Sequence, residues 1–423
     1  MSRIRIASIA LTFLTAAGVV ALAPGAAVQA ADPQLADRAA AAGLTLTERT
    51  WSAAPVDYDN DGDQDVLIVN HQHANGRLYS SNGNGTYTWV ARTAWPRVNS
   101  QGGILDRHDC AWADVDGNGL QDAYCSGGRN KSNYVKTAVK DNELWFQTSV
   151  GVFVDRGTEW GVGDACGRGR YVAFLDVNND GWQDLFLSNQ AGRNVSDPCD
   201  NPANGLPNEQ SKIFLNNAGR SLTYAPAWNV SQPNSGVSCA LPLDYNKDGR
   251  MDLLACKFHQ ERPLLYRNTG TGFAETSASV GLTAITDAVT GDLNNDGLLD
   301  LVTSDDNGWA YRLGTATSLA AQVRLGTAAS GTDGVGIAVG DINGDGRQDV
   351  YAQAGRGSGA NPDDRVFVNQ GSLRFTSYVP PSATGQANAV VALTQPAGTP
   401  VRFLVLNGLE QQDGPYQLIT WAG

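Results

Sequence analysis

The pattern D-x-[DN]-x-[DN]-G-x-x-D recurs six times in this 423-residue chain, starting at Asp57, Asp114, Asp176, Asp244, Asp292 and Asp341. Each copy brings oxygen side chains to positions 1, 3, 5 and 9 around a glycine at position 6 (Gly62, Gly119, Gly181, Gly249, Gly297, Gly346). Hard cations such as Ca2+ take about six to eight oxygens, and a tightly curled loop supplies several of them from one short segment. Position 7 varies freely, as expected where only the backbone carbonyl is offered. The candidate ligand sets are therefore Asp57, Asp59, Asp61, Asp63 and Asp65; Asp114, Asp116, Asn118, Leu120 and Asp122; Asp176, Asn178, Asp180, Trp182 and Asp184; Asp244, Asn246, Asp248, Arg250 and Asp252; Asp292, Asn294, Asp296, Leu298 and Asp300; and Asp341, Asn343, Asp345, Arg347 and Asp349. One copy alone would read as an ordinary Asp-Gly turn; six with the same fixed positions read as about six Ca2+ sites. The last carboxylate falls at position 9 and β runs flank the loop, so this is not an EF-hand.

The segments after the loops repeat as well. A β run follows directly (Asp65–Val69, Asp184–Leu187, Asp252–Ala255, Asp349–Tyr351), then a second closing on Asn or Gly (Leu78-Tyr79, Ile213–Leu215, Leu265-Tyr266, Val366–Val368), then a third from Phe153, Phe273 or Phe375. With the strand leading into the loop, each unit holds four strands. Loop starts lie 57, 62, 68, 48 and 49 residues apart, the length of a propeller blade.

Leu35-Ala36-Asp37-Arg38 with Gly43-Leu44 matches Phe153–Arg156 with Gly161-Val162 and Phe273–Thr276 with Gly281-Leu282, so the N-terminal run reads as an orphan fourth strand. Its partners lie at the other end, in Ala389–Val391, Phe403–Asn407 and Tyr416–Ile419. The expectation is an all-β, seven-bladed β-propeller of four-stranded blades, closed by the N-terminal strand, which removes exposed sheet edges. The turn of the seventh blade, Thr394 to Arg402, has no carboxylate and should bind no calcium.

Segments such as Ile337-Ala338-Val339-Gly340-Asp341-Ile342-Asn343-Gly344-Asp345-Gly346-Arg347-Gln348-Asp349 resemble FG-GAP/VCBS repeats, found in integrin α-subunit propellers and many secreted bacterial proteins. The resemblance implies fold and calcium rather than one activity.

Residues 1–30 read as a signal peptide, with Arg3 and Arg5 before an apolar run from Ile9 to Ala23 and small residues near Ala30, leaving 31–423 as one secreted domain. No later run is apolar for long enough to span a membrane. Loss of Arg3 and Arg5 takes the formal charge from −13 to −15, and nineteen carboxylates sit at positions 1, 3, 5 and 9 of the six loops. Bound calcium would offset most of that charge, and nothing favours nucleic acid. Six cysteines in an exported chain point to three disulfides. Cys110 and Cys125 have an index sum one below that of the loop ends they enclose, Asp114 and Asp122, and Cys239 and Cys256 have the same offset about Asp244 and Asp252. Facing residues of a hairpin share one sum, so both pairs are close enough to bond; Cys166 and Cys199 remain as the third.

The longest insertions, Trp95–Asp109, Ser126–Asn142 and Ser188–Gln210, fall on the face opposite the calcium loops. Trp95, Arg107, His108, Arg129, Lys131 and Tyr134 there are the candidate ligand-binding residues, since aromatic rings stack on apolar sugar faces and arginine forks hold carboxylates. The reading is a secreted binding or adhesion module whose partner is a carbohydrate or an extracellular protein. The alternatives are a polysaccharide lyase, with a histidine (His71, His73, His108, His259) or Tyr134 as base, and a protein-interaction scaffold. No nucleophile motif marks catalytic residues.

Overall fold

The computed structural model describes residues 32, 34–70, 76–90, 107–128, 142–164, 167, 169–190, 211–228, 230, 237–257, 261–328, 334–355, 364–381, 388–394, 399–408 and 413–422. Seven antiparallel sheets follow one another along the chain. Blade 1 consists of Thr50–Val56, Asp65–Asn70, Arg77–Ser81 and Tyr87–Trp89. Blade 2 starts at Arg107–Ala113, blade 3 at Gly169–Leu175, blade 4 at Val237–Leu243, blade 5 at Asp287–Gly291 and blade 6 at Gly334–Gly340, each with three further strands. Blade 7 takes Ala389–Leu393, Arg402–Leu406 and Gly414–Trp421 from the C-terminal end and Leu35–Asp37 from the N-terminal end, with Leu35 opposite Trp421 and Asp37 opposite Ile419. The ring is therefore closed as the sequence implies.

Burial follows from stacking blade on blade. The second strand of a blade is covered on both faces, so all six residues of Asp65–Asn70, and of the equivalent strands in blades 3 to 6, are buried. Such strands read as continuous apolar runs rather than alternating ones. The first strand faces the ring axis on one side, and Thr50–Val56 alternates between buried and half-buried. Among the described residues the core divides into seven clusters, one at each blade junction: Val69 and Leu78 of blade 1, for example, pack on Ala123 and Trp145 of blade 2.

One closure element lies beyond the repeat pattern. Thr47–Glu48 pairs with the start of the C-terminal strand, Thr47 opposite Pro415. Glu48 accepts hydrogen bonds from Tyr416 Oη of blade 7 at 3.0 Å and from Asn70 Nδ2 at 2.6 Å and Arg77 Nε at 3.0 Å of blade 1. Opposite charges and a shared carboxylate thus pin the last junction.

Cys110–Cys125 and Cys239–Cys256 are disulfide-bonded and directly opposite in register, as the index sums require. Cys166 and Cys199 lie outside the described residues. Each bond closes a loop of about 15 residues, worth about 3 kcal/mol in the chain-entropy picture. A chain of this size has an unfolding entropy near 0.8 kcal/mol per degree. Reducing both bonds should therefore lower the melting temperature by about 7 °C, measured by scanning calorimetry with and without a thiol reductant.

Candidate metal centre

Each D-x-[DN]-x-[DN]-G-x-x-D segment joins the first two strands of a blade, so all six loops lie on one face of the ring. Position 1 shapes the loop. Asp57 accepts the Asp61 N–H at 3.1 Å and the Gly62 N–H at 3.0 Å, and the same two bonds recur in the other five loops. Position 5 then accepts the N–H of position 7, as Asp61 does from Asp63 at 2.9 Å. The chain can take this path only through left-handed backbone. Gly62 has φ +88° with open space where a Cβ would sit, so glycine is needed there for its dihedral and not for room. Position 4 is left-handed in all six copies too: Asn60, Gly117, Asn179, Lys247, Asn295 and Gly344. Asparagine and glycine are the residues that tolerate this region best, and their recurrence at position 4 was the signal available in the sequence.

Position 9 anchors the loop. Asp122 is fully buried; its Oδ2 accepts the Val115 N–H at 2.9 Å and its Oδ1 the Gln147 N–H, from the third strand, at 2.8 Å. Asp65, Asp184, Asp300 and Asp349 repeat both bonds. Burial pushes the carboxyl groups of Asp65, Asp122, Asp184, Asp252 and Asp349 up to about 7, against the opposing pull of those N–H donors. Next to this anchor, the asparagine ending the third strand ties blades 3, 4 and 6 each to the one before, and Gln147, within the third strand of blade 2, does the same. Asn216 Nδ2 donates to the Val115 carbonyl at 2.9 Å, Asn268 to Val177 at 2.7 Å, Asn369 to Leu293 at 2.7 Å, and Gln147 Nε2 to Tyr58 at 3.0 Å.

The donor set fits a hard divalent cation. Carboxylate oxygens of Asp57, Asp59 and Asp61 lie within 4.8 Å of one another, as do those of Asp114, Asp116 and Asp122. Asp59 Oδ1 is buried with no hydrogen-bond partner among the described residues, and burial together with Asp61 and Asp57 raises its carboxyl above the ordinary range. Like charges converging on an orphaned oxygen are stabilised by a cation placed between them. Loops 4 and 6 differ: Arg250 lies 3.4 Å from Asp248, and Arg347 pairs with Asp345, so both carry a cation of their own. The turn of blade 7 has no such cluster among its described residues; instead Pro400 packs beneath Gly344 of loop 6.

On the opposite face, the first strand of blade 2 begins at Arg107 and so takes the last three residues of the segment the sequence assigns to an insertion. Arg107 is 3% exposed and holds Glu143, also buried, with Nε–Oε2 at 2.6 Å and Nη2–Oε1 at 3.2 Å. His108 is buried, with its ring stacked on Trp51 at 4.5 Å and Nδ1 2.9 Å from the Gly169 carbonyl. Trp95, Arg129, Lys131, Tyr134, His71, His73 and His259 lie outside the described residues.

Asp109, the next residue, lines the ring axis. Protein surrounds it although part of its surface opens to the axial cavity, and burial pushes its carboxyl up to about 7, against the Val172 N–H and Ser52. In the unfolded chain it titrates near 3.9. The folded state thus holds the proton more tightly, and this contribution to stability is present below pH 4 and lost as pH rises through 7. Asp109→Asn should remove that loss and gain about 1–2 kcal/mol at pH 8, after allowing for water in the cavity, with no gain at pH 4, measured by urea unfolding.

The model of the FG-GAP-like repeat matches residues 57–125, 244–303 and 292–352. No curated protein matches the chain by sequence. Among solved structures, BBS1N, crystallised in complex with ARL6DN, is similar with a TM-score of 0.50 and 8% identity over 89% of this chain and 94% of that one. An Agrocybe aegerita lectin that recognises non-reducing terminal N-acetylglucosamine is similar with a TM-score of 0.47 and 14% identity over 78% and 80%. The likeness to BBS1N is one of fold.

Proposed function

From a seven-bladed propeller carrying FG-GAP-like repeats, we propose a secreted, calcium-stabilised binding and adhesion module whose ligand is a carbohydrate. The observation that carries the reading is the loop face: six equivalent loops, each anchored by a fully buried aspartate, with converging carboxylates in the first two. When bound there, Ca2+ supplies charge neutralisation and ties strand ends together, so metal binding and folding are linked. Position 1 shapes each loop, positions 3 and 5 offer side-chain oxygens, position 7 its carbonyl, and position 9 holds the loop to the third strand.

Two disulfides support an oxidising compartment. The N-terminal run from Arg3 to Ala30 supports export, and no helix among the described residues is long and apolar enough to cross a membrane. Trp95, Arg129, Lys131 and Tyr134, in the insertions opposite the calcium loops, support a sugar ligand. The test is a glycan and polysaccharide array probed in millimolar calcium and again in EDTA. Calcium-dependent binding to a defined glycan is expected; a blank array together with a protein captured from the surrounding medium would replace the carbohydrate by a protein partner.

A further inference from the structure

The turn of blade 7 differs from the six loops in charge as well as in sequence. Leu393 stands opposite Arg402 as Val56 stands opposite Asp65, and the corresponding pairs of blades 2 to 6 have the same register. Arg402 therefore takes the place of the position-9 aspartate. Its guanidinium crosses the seam where the ring closes: Nη1 donates to the Gly85 carbonyl of blade 1 at 2.5 Å, and a Cβ at Gly85, which has φ +83°, would overlap the guanidinium. Glycine is needed there for its dihedral and for room. Beside this contact, between blade 7 and blade 1 on the calcium-loop face, Arg402 lines a cavity of about 410 Å3.

The charge of this cavity narrows what it can hold. Arg38 lines it too, is exposed, and its guanidinium makes no hydrogen bond or ion pair with any described residue. Asp37, next to it in sequence, turns its carboxylate to the Ala39 N–H at 2.9 Å and the Leu418 N–H at 3.0 Å. No acidic side chain is among the described residues lining the cavity, in a chain with 43 Asp and Glu against 30 Lys and Arg and on the face where six loops gather carboxylates. Like charges sharing one cavity are stabilised by a counter-charge between them, and a guanidinium fork matches the oxygens of a carboxylate or a tetrahedral oxyanion. The other walls suit a sugar ring. Thr86 and Thr399 carry hydroxyl groups, and Pro400 and the half-buried Trp421, held edge-on to Tyr378 at 5.3 Å, are apolar. The volume falls within the range of about 300–1,000 Å3 usual for small-ligand sites.

We propose that the cavity between blades 7 and 1 binds an acidic sugar unit, with Arg402 and Arg38 holding its carboxylate or sulfate group. Where six blades gather carboxylates for a cation, the seventh gathers guanidinium groups for an anion. This rests on the reading of the chain as a carbohydrate-binding module and fixes the charge of one unit of its ligand. The test is isothermal titration of the calcium-loaded full chain with glucuronate, galacturonate, N-acetylneuraminate and galactose 6-sulfate, against glucose, galactose and inorganic sulfate. At least one acidic sugar should bind at least tenfold more tightly than the neutral sugars and the bare ion, and the carboxylate and sulfate arms show which group is preferred. Arg402→Gln should weaken that binding at least tenfold. Arg38→Gln should weaken it about fivefold with the melting temperature unchanged, because Arg38 holds nothing in the fold, and Ala41→Phe, which adds bulk at an exposed position of the wall, should also weaken it. These two variants decide the matter if Arg402→Gln does not fold. Unchanged affinity in both, neutral sugars or inorganic sulfate binding as tightly as acidic sugars, or no acidic sugar binding beside a positive glycan array overturns the site and leaves the carbohydrate reading standing. No sugar binding by the unaltered chain, with a blank glycan array, overturns both.

Discussion

Removing calcium should lower the melting temperature of this protein by about 10–20 °C. Extracellular calcium modules bind at about 0.1–1 mM, so 10 mM calcium stabilises each site by about 1.4–2.7 kcal/mol through mass action. Six sites acting independently give about 8–16 kcal/mol, and an unfolding entropy near 0.8 kcal/mol per degree converts this to the stated shift. The measurement is calorimetry in 10 mM calcium against EDTA. A shift under about 3 °C would mean that at most one or two loops are metal sites. Loops 4 and 6 are the first expected to contribute less, because Arg250 and Arg347 already neutralise Asp248 and Asp345.

That prediction draws on features legible in the sequence because they are periodic. Six copies of one loop fixed the position of the second strand in every blade, and the spacing between copies fixed the blade. Cys110–Cys125 and Cys239–Cys256 were legible for the same reason: a hairpin whose loop ends are known has one register. The N-terminal strand could be placed because Leu35–Asp37 repeats the pattern of Phe153–Asp155 and Phe273–Glu275.

Features that belong to junctions between repeats were not legible. Asn216, Asn268 and Asn369 look like turn residues ending a third strand, yet each side chain reaches a carbonyl of the preceding blade. Glu48 and Tyr416 are 368 residues apart and Glu48 lies outside the repeat pattern, so nothing local marks their contact. Arg107 and His108 sit where an insertion gives way to a strand, and the three-residue difference in that boundary separates an exposed loop side chain from a buried one. Repeats make a blade predictable; the surfaces by which blades recognise one another are written in side chains that vary from copy to copy.

The two roles carried by one aspartate can be separated by experiment. Asp122 and Asp116 both offer oxygens to the second loop, but only Asp122 also holds two backbone donors in a fully buried position, Val115 N–H and Gln147 N–H. Asp116 accepts a single N–H, that of Asn118, which Asp114 accepts as well. Replacing either by alanine should therefore reduce the calcium stoichiometry, measured by titration calorimetry, by one site. Without calcium the two variants should part. Asp116→Ala removes nothing that Asp114 does not also supply and should stay within about 0.5 kcal/mol of the parent in EDTA. Asp122→Ala strands two buried N–H groups at about 1–3 kcal/mol each and should lose about 2–6 kcal/mol in EDTA, a fall of about 3–7 °C. Equal melting temperatures for the two variants in EDTA would show that position 9 acts through the metal alone. The expected difference would show instead that the loop is built on its buried carboxylate before any cation arrives, so that calcium completes a fold whose strand ends are already joined.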